Sequence, residues 1–335
     1  YVEDDLVRFA QKAQECGIEL FVLDDGWFGA RNNDRAGLGD WKPNPAKLPN
    51  GIKGLAQRIE GLGMKFGLWF EPEMVNRDSD LFRAHPDYII QTPGRSPSHG
   101  RNQFVLDFSR PEVVDEIYNQ MYALLSTAKI SYIKWDMNRS ISECYSASLP
   151  ADQQGEVFHR YILGVYDLHE RLIRAFPELL IESCSSGGGR FDAGMLYYAP
   201  QGWTSDDSDA IERLKIQYGT SLVYPISSMG AHVSACPNSQ VGRNTPIETR
   251  GNVAMTGAFG YELDLNKLSE EELKAVKQQV VFYKQNRKLL VQGAFYRLLS
   301  PFEGNFAAWE VAEHDGSRAL VTVTRILSEI NGPYR

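Results

Sequence analysis

Residues 130–139, Ile-Ser-Tyr-Ile-Lys-Trp-Asp-Met-Asn-Arg, form a short apolar run that ends abruptly in Lys134, Trp135, Asp136 and Asn138. Ile and Tyr suit a buried strand, whereas a lysine, an indole and a carboxylate crowded at its C-terminal tip serve no packing purpose. Taken singly, Asp136 could be a turn former with Lys134 as its ion-pair partner. The pattern recurs, however. Residues 18–25 end in Asp24 and Asp25, 65–71 in Trp69 and Glu71, 179–184 in Glu182 and Cys184, and 201–207 in Asp206 and Asp207. Independent turn formers would not be so consistently acidic and aromatic.

Two carboxylates facing one cavity, amid aromatics and a lysine, suit cleavage of a glycosidic bond. Sugars offer apolar faces that stack on Trp and hydroxyls that need charged partners. One carboxylate attacks the anomeric carbon and the other protonates the leaving oxygen, and a separation of about 5 Å gives retention of configuration. The expected pair is Asp136 and Asp206. Lys134 lies two residues before Asp136, on the same side of its strand, and is expected to help keep that Asp ionised. The same carboxylates could hold a divalent cation, or line a catalytically silent sugar-binding barrel. Loops rich in Trp, Tyr and Gly, rather than clustered Asp, Glu and His, favour the sugar, and a silent barrel would not need Asp136 and Asp206 placed as a pair.

The elements that must carry these tips alternate. Residues 4–16 place Leu6, Phe9, Ala10, Ala13 and Cys16 on one helical face, with Gly17 at C′. A helix at 52–61 turns Leu55 and Ile59 inward. Another at 111–127 carries Val113, Val114, Ile117, Met121, Leu124 and Leu125 as a stripe, with Ser109 as its expected cap and Pro111 near N1. Helices at 157–176 and 191–196 lead to the next two strands. Further strands are expected at 222–227 and 258–264, and helices at 252–257 and 270–286.

Near-continuous apolar strands alternating with helices mean a parallel sheet covered by helices. With no GxGxxG after any strand, a (β/α)8 TIM barrel is the better expectation. In such barrels the working residues sit where strands end. Seven strands can be counted, so the expected α/β fold is a barrel lacking its first strand, which would lie before Tyr1. An open barrel of that kind exposes two sheet edges, and this chain alone is expected to fold poorly. From about residue 292 a hairpin signal with Asp315-Gly316 as its turn marks the start of a C-terminal antiparallel β-sandwich. The expected domains are a catalytic barrel at 1–290 and the beginning of a truncated β domain at 291–335.

The 335 residues, 43% of them hydrophobic, suffice for a substantial core, and a net charge of −8 argues against nucleic acid and anionic membrane as partners. No apolar run nears the roughly 20 residues needed to span a bilayer. Four scattered cysteines, Cys16, Cys144, Cys184 and Cys236, form no CxxC pair and point to a reducing, cytoplasmic setting. Six histidines show no metal-ligand spacing, so neither metal nor cofactor is expected.

Five stretches carry a resemblance: Phe21-Val-Leu-Asp-Asp-Gly-Trp-Phe28, Gly67-Leu-Trp-Phe-Glu-Pro-Glu-Met74, Tyr132-Ile-Lys-Trp-Asp-Met-Asn-Arg139, Cys184-Ser-Ser-Gly-Gly-Gly-Arg-Phe-Asp192 and Trp203-Thr-Ser-Asp-Asp207. At these motifs the chain resembles the α-galactosidases of glycoside hydrolase family 36 over essentially its whole length. The resemblance implies a retaining exo-α-galactosidase acting on α-1,6-galactosides such as melibiose, raffinose and stachyose. It implies Asp136 as nucleophile and Asp206 as general acid/base. Asp24 and Asp25 would take the galactose 4- and 6-hydroxyls, Trp69 would line the subsite, Arg101 and Lys134 would bind ring hydroxyls, and Cys184 with Gly187 would close on the sugar. A galactosyl transferase of the raffinose-synthase type would share these tips, as would a non-catalytic galactose-binding barrel.

The family also carries a large N-terminal β-sandwich domain and often forms tetramers, so a homo-oligomer is implied. Blander readings stand beside these roles. Asp206, Asp207 and Asp209 could cap the helix starting near Ala210, Cys184 could be an ordinary buried thiol, and Arg101, after Gly100 in a loop, could be merely solvated. Gly187 to Gly189 lack the Lys-Ser/Thr that a phosphate-binding loop needs. His99 and His232 read as loop and strand-end residues.

Overall fold

The computed structural model describes residues 1–327. They fall into two compact units, one of Tyr1–Gln14, Glu19–Ser186 and Asp192–Pro200, the other of Glu15–Ile18, Gly187–Phe191 and the residues from Gln201 onward.

In the first unit α1 (Glu3–Glu15) precedes β1 (Leu20–Leu23), and α2 (Gly51–Gly61) leads into β2 (Lys65–Phe70). The ribbon of β3 (Met74–Asn76) and β4 (Gln103–Val105) is antiparallel and encloses α3 (Asp80–Ala84). Then come α4 (Pro111–Leu125), β5 (Tyr132–Trp135), α5 (Val157–Ala175), β6 (Leu180–Ser183) and α6 (Ala193–Tyr198). Strands β1, β2, β5 and β6 pair side by side, all parallel. Because helices cover the sheet, β2 is buried from Phe66 to Phe70 rather than alternating. The register sets Trp69 beside Lys134 and Lys134 beside Glu182, so three strand tips are brought level. Helix α4 buries the expected stripe from Val113 to Leu125. Its N-cap, however, is Arg110 without a side-chain bond, because the Ser109 hydroxyl donates to Asp107 Oδ1 at 2.5 Å instead.

In the second unit β7 (Gln201–Trp203), α7 (Ala210–Thr220), β8 (Met229–Ser234), α8 (Ile247–Ala254), β9 (Ala258–Glu262) and α9 (Glu270–Gln292) continue the alternation. Strands β7, β8 and β9 are parallel neighbours. Helix α9 opens on a capping box, Ser269 and Glu272 each satisfying the other's backbone N–H. Three antiparallel strands follow, β10 (Ala294–Leu299), β11 (Phe306–Ala312) and β12 (Ala319–Arg325). The hairpin expected around Asp315-Gly316 joins β11 to β12, whereas β10 gave no sequence signal.

Seven parallel strands with intervening helices and a small antiparallel sheet after them make the expected TIM-barrel-like α/β fold. One strand lies elsewhere than expected. Residues 222–227 are a turn and a short 3-10 helix, with Leu222 and Val223 62% and 76% exposed. Pro225 cannot donate to a ladder. The strand is β8, whose Gly, Ala and Ser hide its apolar character, and His232 stands within it rather than at its end.

Candidate active site

Trp69 is fixed by aromatic packing. Its ring stacks on Phe28 at 6.0 Å and 9°, Trp27 Nε1 donates to its carbonyl at 2.9 Å, and Trp41 and Phe70 complete a buried cluster. So held, Trp69 directs Nε1 to Asp136 Oδ2 at 3.2 Å. Asp136, at the end of β5 and 7% exposed, also receives Asn138 Nδ2 at 2.7 Å on Oδ2 and Met137 N at 2.9 Å on Oδ1. Three donors on a buried carboxylate fix its direction, as an attacking group requires.

Lys134 does not pair with Asp136 as expected. Its Nζ lies 2.9 Å from Asp24 Oδ2. Burial works against the ammonium, but Asp24, then Glu182 and Cys184, outweigh it and hold Lys134 well above the ordinary lysine value. Asp25 is gripped by Arg31, Nε to Oδ1 at 2.9 Å and Nη2 to Oδ2 at 2.8 Å. The Arg31 guanidinium is itself 4% exposed and spans to Ala36 O and Asn76 Oδ1. Cys184 is buried and its N–H donates to Trp135 O at 2.7 Å.

Arg101 is exposed at the tip of a two-residue turn closed by Gln103 N donating to Gly100 O. Arg101 and Asn102 have φ of 51° and 59°, a left-handed conformation that costs a non-glycine residue about 1 kcal/mol or more. Asn102 is tied down by Asn76 Nδ2 on its carbonyl and by Asp34 on its own amide. The first unit thus brings Asp24, Asp25, Trp69, Lys134, Asp136 and Cys184 to adjoining strand ends, with Arg101 acting electrostatically on Glu71 next to Asp136.

The second unit carries Gly187 and Asp206. Asp206 is exposed and accepts from Trp203 Nε1 at 3.1 Å. It caps nothing. The cap of α7 is Asp209, which accepts from Ile211 and Glu212 N–H, while Asp207 accepts from Asp209 N. Arg213, 3% exposed, braces the loop from beneath: it donates to Thr204 Oγ1, Ser205 O and Asp207 O, and its guanidinium lies 4.2 Å over the Trp203 ring. Gly187 has φ +83°, and a Cβ there would sit 2.6 Å from Asp206 N and 2.7 Å from Ser205 Cα, so the backbone next to Asp206 admits only glycine.

Among the described residues no three His, Cys, Asp or Glu side chains are grouped so as to hold a metal ion, and no helix is long and apolar enough to cross a membrane. None of the four cysteines is in a disulfide.

A family model described as Melibiase matches residues 1–293. The chain belongs to the Melibiase family. It is 58% identical to alpha-galactosidase AgaA of Geobacillus stearothermophilus over 331 residues, which is 99% of this chain and 45% of that protein. It is 53% identical to alpha-galactosidase Mel36A of Lactobacillus acidophilus, again over 99% of this chain and 45% of that one. The crystal structure of AgaA superposes with a TM-score of 0.98, covering 99% of this chain and 46% of AgaA, and substituted forms of AgaA have been solved with raffinose and with stachyose. The chain therefore spans slightly under half the length of the curated relatives it matches.

Within this Melibiase chain, sequence reading passed over Arg31, Arg213 and the buried role of Glu71. The two arginines follow the acidic tips they serve by six and seven residues, Arg31 in an irregular loop and Arg213 on the buried face of α7, and their near-complete burial singles them out. For Glu71 a signal existed: Glu71-Pro-Glu73 directly after an apolar strand, where a solvated loop would be expected, yet both carboxyls are fully buried.

Proposed function

We propose that this chain is the catalytic part of an exo-α-galactosidase that removes terminal α-1,6-linked galactose with retention. The observation that carries it is the Asp136 carboxylate, buried at a strand end and aimed by Trp69 Nε1, Asn138 Nδ2 and Met137 N–H. Such an oriented anion attacks the anomeric carbon and forms a covalent galactosyl ester. Asp206, exposed and held by Trp203 Nε1, protonates the departing oxygen and then deprotonates the incoming water.

Asp24 and Asp25 receive the 4- and 6-hydroxyls, and this pair selects the axial 4-OH. Lys134 and Arg101 bind ring hydroxyls, Trp69 lines the subsite, and Cys184 and Gly187 close on the sugar. Membership of the Melibiase family and the raffinose and stachyose complexes of AgaA support oligosaccharides of that kind as substrates, melibiose with them. The chemistry needs no cofactor. Residues 1–290 are the catalytic domain, and the described residues from 291 onward belong to a C-terminal β domain. Four cysteines outside any disulfide favour a cytoplasmic protein, and the family resemblance favours a homo-oligomer.

The test is azide rescue on an aryl α-galactoside. Asp136→Gly is expected to be inactive and to regain turnover with azide, giving the β-galactosyl azide. Asp206→Gly is expected to give the α-galactosyl azide, through the ester. Wild-type turnover by Asp136→Gly without azide would end the assignment.

A further inference from the structure

We propose that Glu71 is a positioning residue for Asp136, holding the Asp136–Asn138 turn from inside the fold as a neutral carboxylic acid. The proposal rests on Asp136 being the nucleophile of the reaction above. Glu71 follows β2 directly and is fully buried. Its Oε1 accepts from Asn138 N at 2.5 Å, and Asn138 Nδ2 donates to Asp136 Oδ2 at 2.7 Å. One residue therefore links the Glu71 carboxyl to the attacking carboxylate.

The other Glu71 oxygen, Oε2, lies 3.2 Å from Gln103 Nε2 on β4. Gln103 is 1% exposed, and its Oε1 is buried without a hydrogen-bond partner. Gln103 thus serves as a donor that fixes the second Glu71 oxygen, while Asn138 N fixes the first. The groups facing Glu71 are Asp136 and Asn138 beyond β5, Gln103 on β4, and Arg101 in the turn before β4. Burial first and the Asp136 anion second push its carboxyl up to about 8; Asn138 and Arg101 oppose this only in part. A neutral acid holds the turn without setting a second anion beside the Asp136 carboxylate.

The sign of the stability effect follows. Between the ordinary glutamate value of about 4.3 and about 8 the folded chain holds a proton that the unfolded chain has lost. Stability contributed by this group therefore falls as pH rises through that window. Glu71→Gln, which mimics the neutral acid, removes that fall. Its melting temperature relative to wild type is expected to climb steadily across the window, and a flat difference would overturn the proposal.

In the same window Glu71→Gln is expected to keep kcat on an aryl α-galactoside within about threefold. Glu71→Ala frees the turn and is expected to lower kcat by roughly 100-fold with KM little changed. Glu71→Asp, which keeps the acid but withdraws it, serves if the alanine variant does not fold. Equal losses in Glu71→Gln and Glu71→Ala would mean that a charged carboxylate is required and would sink the idea. Should wild type hydrolyse no galactoside, the reading of the site fails, while the melting comparison still decides the protonation state of Glu71.

Discussion

Lys134 Nζ lies 2.9 Å from Asp24 Oδ2, so a charge on β5 meets one at the end of β1 across β2, the strand between them. The pair is half open to solvent, with Asp24 60% and Lys134 24% exposed. Its contribution to stability is therefore small. What the pair does is aim two polar groups at one place.

If both groups hold one sugar, Lys134→Met and Asp24→Asn should each raise KM on an aryl α-galactoside by about tenfold, since one charged hydrogen bond is worth about 1.5–3 kcal/mol and exposure trims it. The double variant should lose less than the product of the two single losses, by about 1 kcal/mol or more of coupling. Strictly multiplicative losses in the double-mutant cycle would show that the two groups act separately.

If Asp206 is the acid proposed above, Gly187→Ala is expected to lower kcat by roughly 100-fold, the order of loss when such a group shifts by about 1 Å. The added methyl would collide with Ser205 and with the Asp206 amide, and φ +83° is itself unfavourable for alanine. The far-UV circular dichroism should be unchanged. A wild-type kcat in this variant would mean that the segment yields without moving Asp206.

The acidic strand tips were legible because parallel strands buried on both faces read as apolar runs, and any charge at their ends stands out. Asp24, Asp25, Trp69 and Asp136 were all visible in that way. The pairing of Lys134 was not, because spacing along one strand says nothing of the strand two places away. Strand β8 was missed for a compositional reason. Gly230, Ala231 and Ser234 dilute its apolar character, while the more hydrophobic 222–227 is a proline-broken turn at the surface. Glu71 is a tip residue that folds inward, and a sequence does not record which way a carboxylate turns.

Asp209 should matter to stability more than to turnover. It is 1% exposed, accepts two N–H groups at the start of α7 and pairs with Arg243. Asp209→Ala is expected to cost about 1–2 kcal/mol for the lost cap alone. Asp209→Asn, which keeps a side-chain acceptor, should recover most of that part. The urea midpoint measures both, and an unshifted midpoint in the alanine variant would show that the cap is not holding the helix.

Arg213 offers the sharpest separation of fold from function in the second unit. Its guanidinium reaches Thr204 Oγ1 and Ser205 O at 2.6 Å and Asp207 O at 2.8 Å, the residues on either side of Asp206, while stacking on the Trp203 ring that donates to Asp206. A lysine could restore the charge but not this planar fork, since an ammonium reaches one or two acceptors and stacks poorly. Arg213→Lys should therefore leave a folded chain, with a melting loss of a few degrees, yet lower kcat by tenfold or more. If Asp206 is the acid proposed above, the loss should be largest for substrates with poor leaving groups, because these depend most on protonation. An activated aryl galactoside, whose departure needs little acid assistance, should be nearly spared. If kcat falls equally for both classes of leaving group, Arg213 supports the fold of the unit and not the acid.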